Sequence, residues 1–425
     1  MRPCWPQRET EQMTQPIVIT GVGVLISNGT GREAFWNALE RGQSGVRRIE
    51  NLDVSDLPCQ IAGQLRDFNP EDYMRRSVVR NWQRYVHQAV AASKLAVEDS
   101  ELGSAGYDSE RVAVSVGTSV GNPDELYVGQ FDAYQSGGYK KVSRFTSSAF
   151  SGHSATAHVT IDLGLKGPAI TIASGCATGL DVLTWGATQI RQGKADAAVV
   201  GASESPLFRM GMAAACSLGI LSKRNDEPEK AMRPFDRHRD GIVLSEGAIT
   251  LILERFDRAK ARGARILGEL AGSGAAADAG SALVLDPEGK ALARAIGAAL
   301  KDAGVQPHEV DHIQAHGVSL EMYDRTETNA IKRALGDHAY RVPISAVKSM
   351  TGQPYAVGGV LGVASALLAL NRGVVPPTIN LETADPECDL DYVPLVARKN
   401  DVRTALVLGM SFGGTYAASV VRKVA

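Results

Sequence analysis

Short apolar runs that end in glycine- or serine-rich turns recur along the chain: IVITGVGV (17–24), VAVSVGTSVG (112–121), AITIASG (169–175), AAVVGASES (197–205), ITLILE (249–254), VPISAVKS (342–349) and TALVLGMSFGG (404–414). Helical patterning follows them, which predicts strands alternating with helices in α/β layers. The runs are continuously apolar more often than alternating, as strands covered on both faces require. Both halves carry this rhythm, so the pattern predicts two similar α/β halves sharing a buried core. After Cys176, the residues Leu180, Leu183, Ala187 and Ile190 fall at helical spacing and Gly193 suits the C-terminal cap, placing Cys176 at a helix N-terminus. The small-residue stretch GELAGSGAAADAG (268–280), with Arg255 to Arg265 before it, is read as the junction of the halves.

Composition narrows the class. The chain has 425 residues, 44% hydrophobic and 22% charged, enough to bury a large core. A net charge of -2 offers no nucleic-acid footprint and no membrane-surface signature. The cysteines at 4, 59, 176, 216 and 388 are scattered without CxxC spacing, against a disulfide framework or a zinc site. The opening MRPCWPQRETEQMT lacks the apolar core of a signal peptide, and no run of eighteen apolar residues follows. A soluble cytoplasmic protein, ordered from about Met13, is the expectation.

Cys176, in TIASGCATGLD, combines a strand-to-helix turn, flanking Gly175 and Gly179, and small neighbours Ala177 and Thr178. From these local features a nucleophile and a packed small hydrophobe are both open. A helix N-terminus offers roughly 0.3–1 kcal/mol, less than one pKa unit, so the dipole alone leaves a thiol largely protonated at pH 7. A proton acceptor is needed nearby. His316, in VDHIQAHGVS, ends an apolar segment just before a glycine, where a side chain can project into a pocket. His312 and His316 lie four apart, but on a strand-like segment, so they do not share a helical face and no metal is expected. GVG at 21–23 lacks the third glycine of a dinucleotide loop, and no P-loop lysine motif occurs.

With Cys176, His316 and Lys348 of VKSMTG in view, the chain resembles the elongating β-ketoacyl-acyl-carrier-protein synthases of fatty-acid and polyketide synthesis. The likeness runs from VITGVGV and FWNALERGQSGVRRI through LGLKGPAITIASGCATG, ILSKRNDEPEKAMRPFDRHRDGIVLSEGA, HIQAHG, ETNAIKRALG and KSMTG to PPTINLETADPECDLDYVP and SFGGT. It implies the thiolase fold: duplicated α/β halves, here 14–265 and 266–425, in a five-layered αβαβα core, as a homodimer or as a heterodimer with a ketosynthase-like subunit. It implies that Cys176 takes an acyl chain from a phosphopantetheine thioester on an acyl carrier protein, without any other cofactor, before a malonyl thioester loses carbon dioxide and attacks. Carried over by position, His316 stands beside the substrate carbonyl and Lys348 organises the site electrostatically. Asp324 and Glu327 match the acidic pair after the histidine motif. The amides of Cys176 and Phe412 match the oxyanion hole, and Phe412 the gating phenylalanine. Arg75, Arg76 and Arg80, in the arginine-rich helix predicted over 73–85, fall where the family docks its carrier protein. The segment 124–145 is expected to shape the dimer interface and acyl pocket.

The chain departs from the family's pattern at named positions. KSMTGH reads KSMTGQ, so Gln353 replaces the second catalytic histidine; HGTST reads HGVSL, putting Val318 and Leu320 where threonines line the pantetheine and malonyl site. Gly362 replaces a glutamate and Tyr416 the asparagine of GFGGTN. All these changes fall in motifs serving the second half-reaction, while the cysteine turn is kept. Three readings follow: a condensing enzyme with a slower second step, an acyltransferase to a non-malonyl acceptor without decarboxylation, and a partner subunit like a chain-length factor. The retained cysteine counts against the last.

Overall fold

The apolar run from Ile17 folds as β1 (Ile17–Ile26), buried along its whole length. The computed structural model to which it belongs describes residues 15–121, 125–149 and 151–424; the expected start of order near Met13, and Cys4, lie outside them. The remaining framework follows the predicted alternation. Helix α1 (Arg84–Ser100) precedes β2 (Val112–Gly117); α2 (Thr178–Arg191) precedes β3 (Ala197–Glu204) and β4 (Gly247–Arg255). The second half begins with β5 (Gly268–Ala277), then α3 (Lys290–Ala303), β6 (His312–Gln314), α4 (Glu321–Leu335), β7 (Ile344–Ser345), α5 (Val357–Arg372) and the hairpin β8 (Thr404–Ser411) and β9 (Thr415–Arg422).

These strands form one sheet in the order β7-β6-β8-β9-β5-β1-β4-β3-β2, with Gly29–Thr30 pairing on β1. The halves join where Val18 and Ile19 of β1 pair with Glu269 and Gly268 of β5. Helices α2 and α5 pack against each other and against strands of both halves, while α1 covers β1 and β4 outside, and α3 covers β5 and β9. This is the five-layered αβαβα arrangement of the thiolase fold. Every residue of α5 from Val357 to Leu370 is buried, as a helix between two sheet layers requires.

Several elements differ from the expectation. The run 169–175 is not a full strand: it lies beside β2 through a single bridge of Ala169 with Val114, supported by the bond from Ile170 N to Val114 O at 3.1 Å. It forms an outer margin there, with Ile170 44% exposed. The stretch 268–280, read as the junction of the halves, is β5 over most of its length, and it is β5 that pairs with β1 there. Its small residues let α3 lie at backbone contact: a Cβ on Gly272 would sit 2.4 Å from Ala303 N, and one on Gly274 2.2 Å from Ala295 O. The arginine-rich helix over 73–85 is broken, because Trp82 and Gln83 are extended between a short helix (Arg76–Asn81) and α1. VPISAVKS yields only the two residues of β7 before the chain turns into a short helix at Lys348–Thr351.

Candidate active site

Cys176 lies in a 3-10 turn (Gly175–Ala177) that runs directly into α2, with Gly175 at φ 72°. The turn is tied to both halves of the molecule. Ser411, at the end of β8, accepts from Ala177 N and donates to Ser174 O, each at 2.8 Å. Ser119 Oγ donates to Gly175 O at 2.7 Å. The loop carrying Ser119 is itself held by Glu204, a buried carboxylate at the end of β3 that accepts from Thr118 Oγ1 at 2.8 Å, Ser119 N at 2.7 Å, Val120 N at 3.1 Å and Gly121 N at 3.0 Å. The helix that begins at this turn shows the predicted face, with Leu180, Leu183, Ala187 and Ile190 buried and Gly193 in the left-handed region.

His316 follows β6 on a loop fastened by Asp324 and Glu327 of α4. Glu327 accepts from the backbone of His316 at 2.6 Å and of Gly317 at 2.9 Å; Asp324 accepts from Val318 N at 3.1 Å and Phe235 N at 2.8 Å, and lies 3.2 Å from Arg239. Burial pushes Asp324 up to about 6 and Glu327 up to about 7, against the backbone donors that favour their charged forms. These carboxylates shape the loop.

Lys348 Nζ lies 2.9 Å from His316 Nδ1 and 2.6 Å from His316 O. Met410 N also donates to His316 Nδ1, at 3.3 Å. With two donors aimed at Nδ1, the imidazole carries its proton on Nε2. Burial, with the Lys348 charge adding to it, holds His316 well below the usual histidine range, so the ring is neutral and Nε2–H is a hydrogen-bond donor. Burial also lowers Lys348, to about 8. Gln353 is pinned by its backbone, N to Val243 O at 2.7 Å and O from Ser245 N at 3.1 Å. Its side-chain Nε2 donates to Cys176 Sγ at 3.4 Å, while its Oε1 is buried without a partner. Burial pushes the Cys176 thiol up to about 11, opposed by the Lys348 charge and by the Gln353 bond.

Cys176, His316, Lys348 and Gln353 thus belong to one buried, hydrogen-bonded and electrostatically linked site drawn from both halves. A thiol at a helix start, two neutral N–H donors and an adjacent ammonium can hold a thioester carbonyl and stabilise charge on its oxygen. An apolar pocket of about 460 Å³ adjoins, lined among others by Phe208, Met210, Leu218, Leu244, Tyr355 and Phe412. Of the four residues expected around the acyl and pantetheine chains, only Phe412 is on this wall. Val318 is buried in an apolar cluster with Tyr323, Ile331 and Ile344, Leu320 packs against that cluster, and Tyr416 points its hydroxyl to Asp278 at 2.5 Å. Arg75, Arg76 and Arg80 are exposed, Arg76 pairing with Glu71 at 3.3 Å. Arg84 of the same stretch is committed to Glu246, at 2.5 Å.

Sequence reasoning assigned no role to Ser411, Glu204 or Tyr323. Glu204 had a signal: a lone acid closing an apolar strand must be buried among donors. Among the described residues, no group of three or more His, Cys, Asp or Glu could hold a metal ion, and no helix is long and apolar enough to cross a membrane.

The chain matches the family model for the beta-ketoacyl synthase N-terminal domain over residues 14–259 and that for the C-terminal domain over residues 267–382. It is 38% identical over 408 residues to the 3-oxoacyl-[acyl-carrier-protein] synthase 2 of Coxiella burnetii, covering 96% of this chain and 98% of that one. It is 37% identical over 421 residues to the tetracenomycin polyketide synthase ketoacyl synthase alpha subunit of Streptomyces glaucescens, covering 97% and 98%. Among solved structures it superposes with a TM-score of 0.88, at 34% identity and over 97% of this chain and 100% of the other, on a complex described as a type II polyketide synthase acyl-carrier protein with its ketosynthase bound to the hexaketide.

Proposed function

The chain belongs to the β-ketoacyl synthase family, and on that premise we propose that it is a cytoplasmic condensing acyltransferase that holds its acyl chain on Cys176. In the first half-reaction the Cys176 sulfur attacks the carbonyl carbon of an acyl thioester on a carrier protein's phosphopantetheine arm. The new carbon–sulfur bond replaces the old one, and the thiol proton ends on the departing pantetheine sulfur. The amides of Cys176 and Phe412 receive the oxyanion, a contribution of about 10²–10³ in rate for such a donor. In the second half-reaction a malonyl thioester breaks its carbon–carbon bond, carbon dioxide leaves, and the electron pair is held as an enolate. His316 Nε2–H and Gln353 Nε2–H donate to the enolate oxygen. The carbanion carbon then attacks the acyl carbonyl, and Cys176 is released.

The observation that carries this reading is the Gln353 amide donating to the Cys176 sulfur beside the His316–Lys348 pair, with every member buried. A neutral amide supplies a hydrogen bond but no charge. Neutral bonds contribute ~0.5–1.5 kcal/mol and charged ones ~1.5–3, so the Gln353 replacement costs about 1–2 kcal/mol, roughly five- to thirtyfold in the second step. Two events are measured to test the reading: Cys176 acylation by an acyl-carrier thioester, followed by intact mass, and carbon dioxide release on adding malonyl thioester. Acylation without carbon dioxide release contradicts condensation, and no acylation contradicts the enzyme.

The carrier docks through Arg75, Arg76 and Arg80, exposed basic groups suited to an acidic partner. Reversing Arg75 and Arg80 to Glu lowers carrier-dependent acylation several-fold at low salt and leaves acylation by a small thioester unchanged; equal rates with the carrier would remove the assignment. The enzyme assembles as a homodimer, a reading supported by the exposed margin at Ile170 and by Phe131 and Tyr134, 61% and 54% exposed on the helix Glu125–Gly137.

A further inference from the structure

Tyr323 stands in the first turn of α4, one residue before Asp324, whose carboxylate fixes the His316 loop. Its side chain is buried, with the residue only 4% exposed. The ring meets Phe412 edge to face at 5.6 Å between centroids and lies 6.3 Å from the His316 imidazole. The hydroxyl is buried with no hydrogen-bond partner, although a phenylalanine would fill the same space without that desolvation cost. Gln353 Oε1 is likewise buried without a partner, on a side chain bonded to the Cys176 sulfur. Burial, with a lesser contribution from Cys176 where that sulfur is ionised, raises the Tyr323 phenol and keeps it a proton-bearing donor. An unpaired donor packed between Phe412 and the His316 ring is suited to a substrate oxygen that the protein does not supply.

We propose that the Tyr323 hydroxyl is a further catalytic group of this site, donating a hydrogen bond to the extender's thioester oxygen as negative charge gathers there during loss of carbon dioxide. The inference rests on the condensing function proposed above, and extends it: a phenol from α4 supplies part of the stabilisation that the amide of Gln353 cannot. No proton is transferred. Phe412 lines the apolar pocket and packs on Tyr323, so one aromatic ring links the pocket to the donor.

Tyr323→Phe tests the proposal, since it deletes the hydroxyl and keeps the ring. Cys176 acylation by intact mass is expected to stay within about twofold of wild type, and carbon dioxide release from malonyl thioester to fall about ten- to a hundredfold in kcat, with little change in KM or melting temperature. Carbon dioxide release within twofold of wild type overturns the proposal. So does an equal loss in acylation and release with a lowered melting temperature, which marks a packing residue. Wild-type protein that is never acylated overturns the underlying function, and this inference with it.

Discussion

Cys176, the proposed nucleophile, is stored as a thiol. Burial pushes it up to about 11, so on the order of 10⁻⁴ of it is thiolate at pH 7, and the Lys348 charge and Gln353 donor only soften that cost. Raising pH deprotonates the thiol, so its alkylation rate should climb close to tenfold per pH unit between about pH 7 and 9. Iodoacetamide labelling of Cys176 across that range checks it, and a plateau already at pH 7 would mean a preformed thiolate. At this scale the sequence was readable where side-chain identity is itself the chemistry: Cys176, His316, Lys348 and the replacement at Gln353 stand in one site. It was not readable where the role depends on what a side chain fails to meet. Tyr323 matters because its hydroxyl has no partner, and Ser411 because it clasps a turn 234 residues distant.

The elements decide how the Cys176 sulfur is aimed. Helix α2, which follows the Cys176 turn, and helix α5, which follows Gln353, meet at glycines: a Cβ on Gly179 would lie 2.6 Å from Val360 N and 2.7 Å from Ala356 O. Gly359 is as tight, with its Cβ position 2.7 Å from Leu180 N. Backbone atoms cannot yield as a flexible side chain can, so Gly179→Ala should push the helices apart, destabilise the protein by about 1–3 kcal/mol and slow acylation at least tenfold. Denaturant unfolding and the acylation assay measure both, and an unperturbed variant would show that the glycine contact does not set the site. Periodicity reported α2 well, since its buried face obeys a single spacing. It failed for 169–175 and for 73–85, where lateral pairing and a change of direction at Trp82–Gln83 are set by neighbours remote in the chain. The stretch 268–280 reads as the junction of the halves without a strand in it, because the reason for its small residues, α3 lying on β5 at backbone distance, is tertiary.

On the scale of the whole molecule, the halves are chemically incomplete apart. The first contributes Cys176 and the Glu204-held loop; the second contributes His316, Lys348, Gln353, Tyr323 and the Ser411 clasp. One hydrophobic core spans them, with Leu180 and Leu183 in the same cluster as Val360 and Val407. The alternation of runs foretold two α/β halves, because layer order follows from local pattern. Their meeting at α2 and α5, which creates the site, follows from sheet topology that no local window contains. The proposed function therefore turns on one covalent bond made where the halves meet, and intact mass spectrometry reads it directly. After incubation with an acyl-carrier thioester, wild-type protein should gain the mass of one acyl group, mapped to Cys176, and Cys176→Ala should gain none. An equal gain by both proteins, or no gain by the wild type, would contradict it.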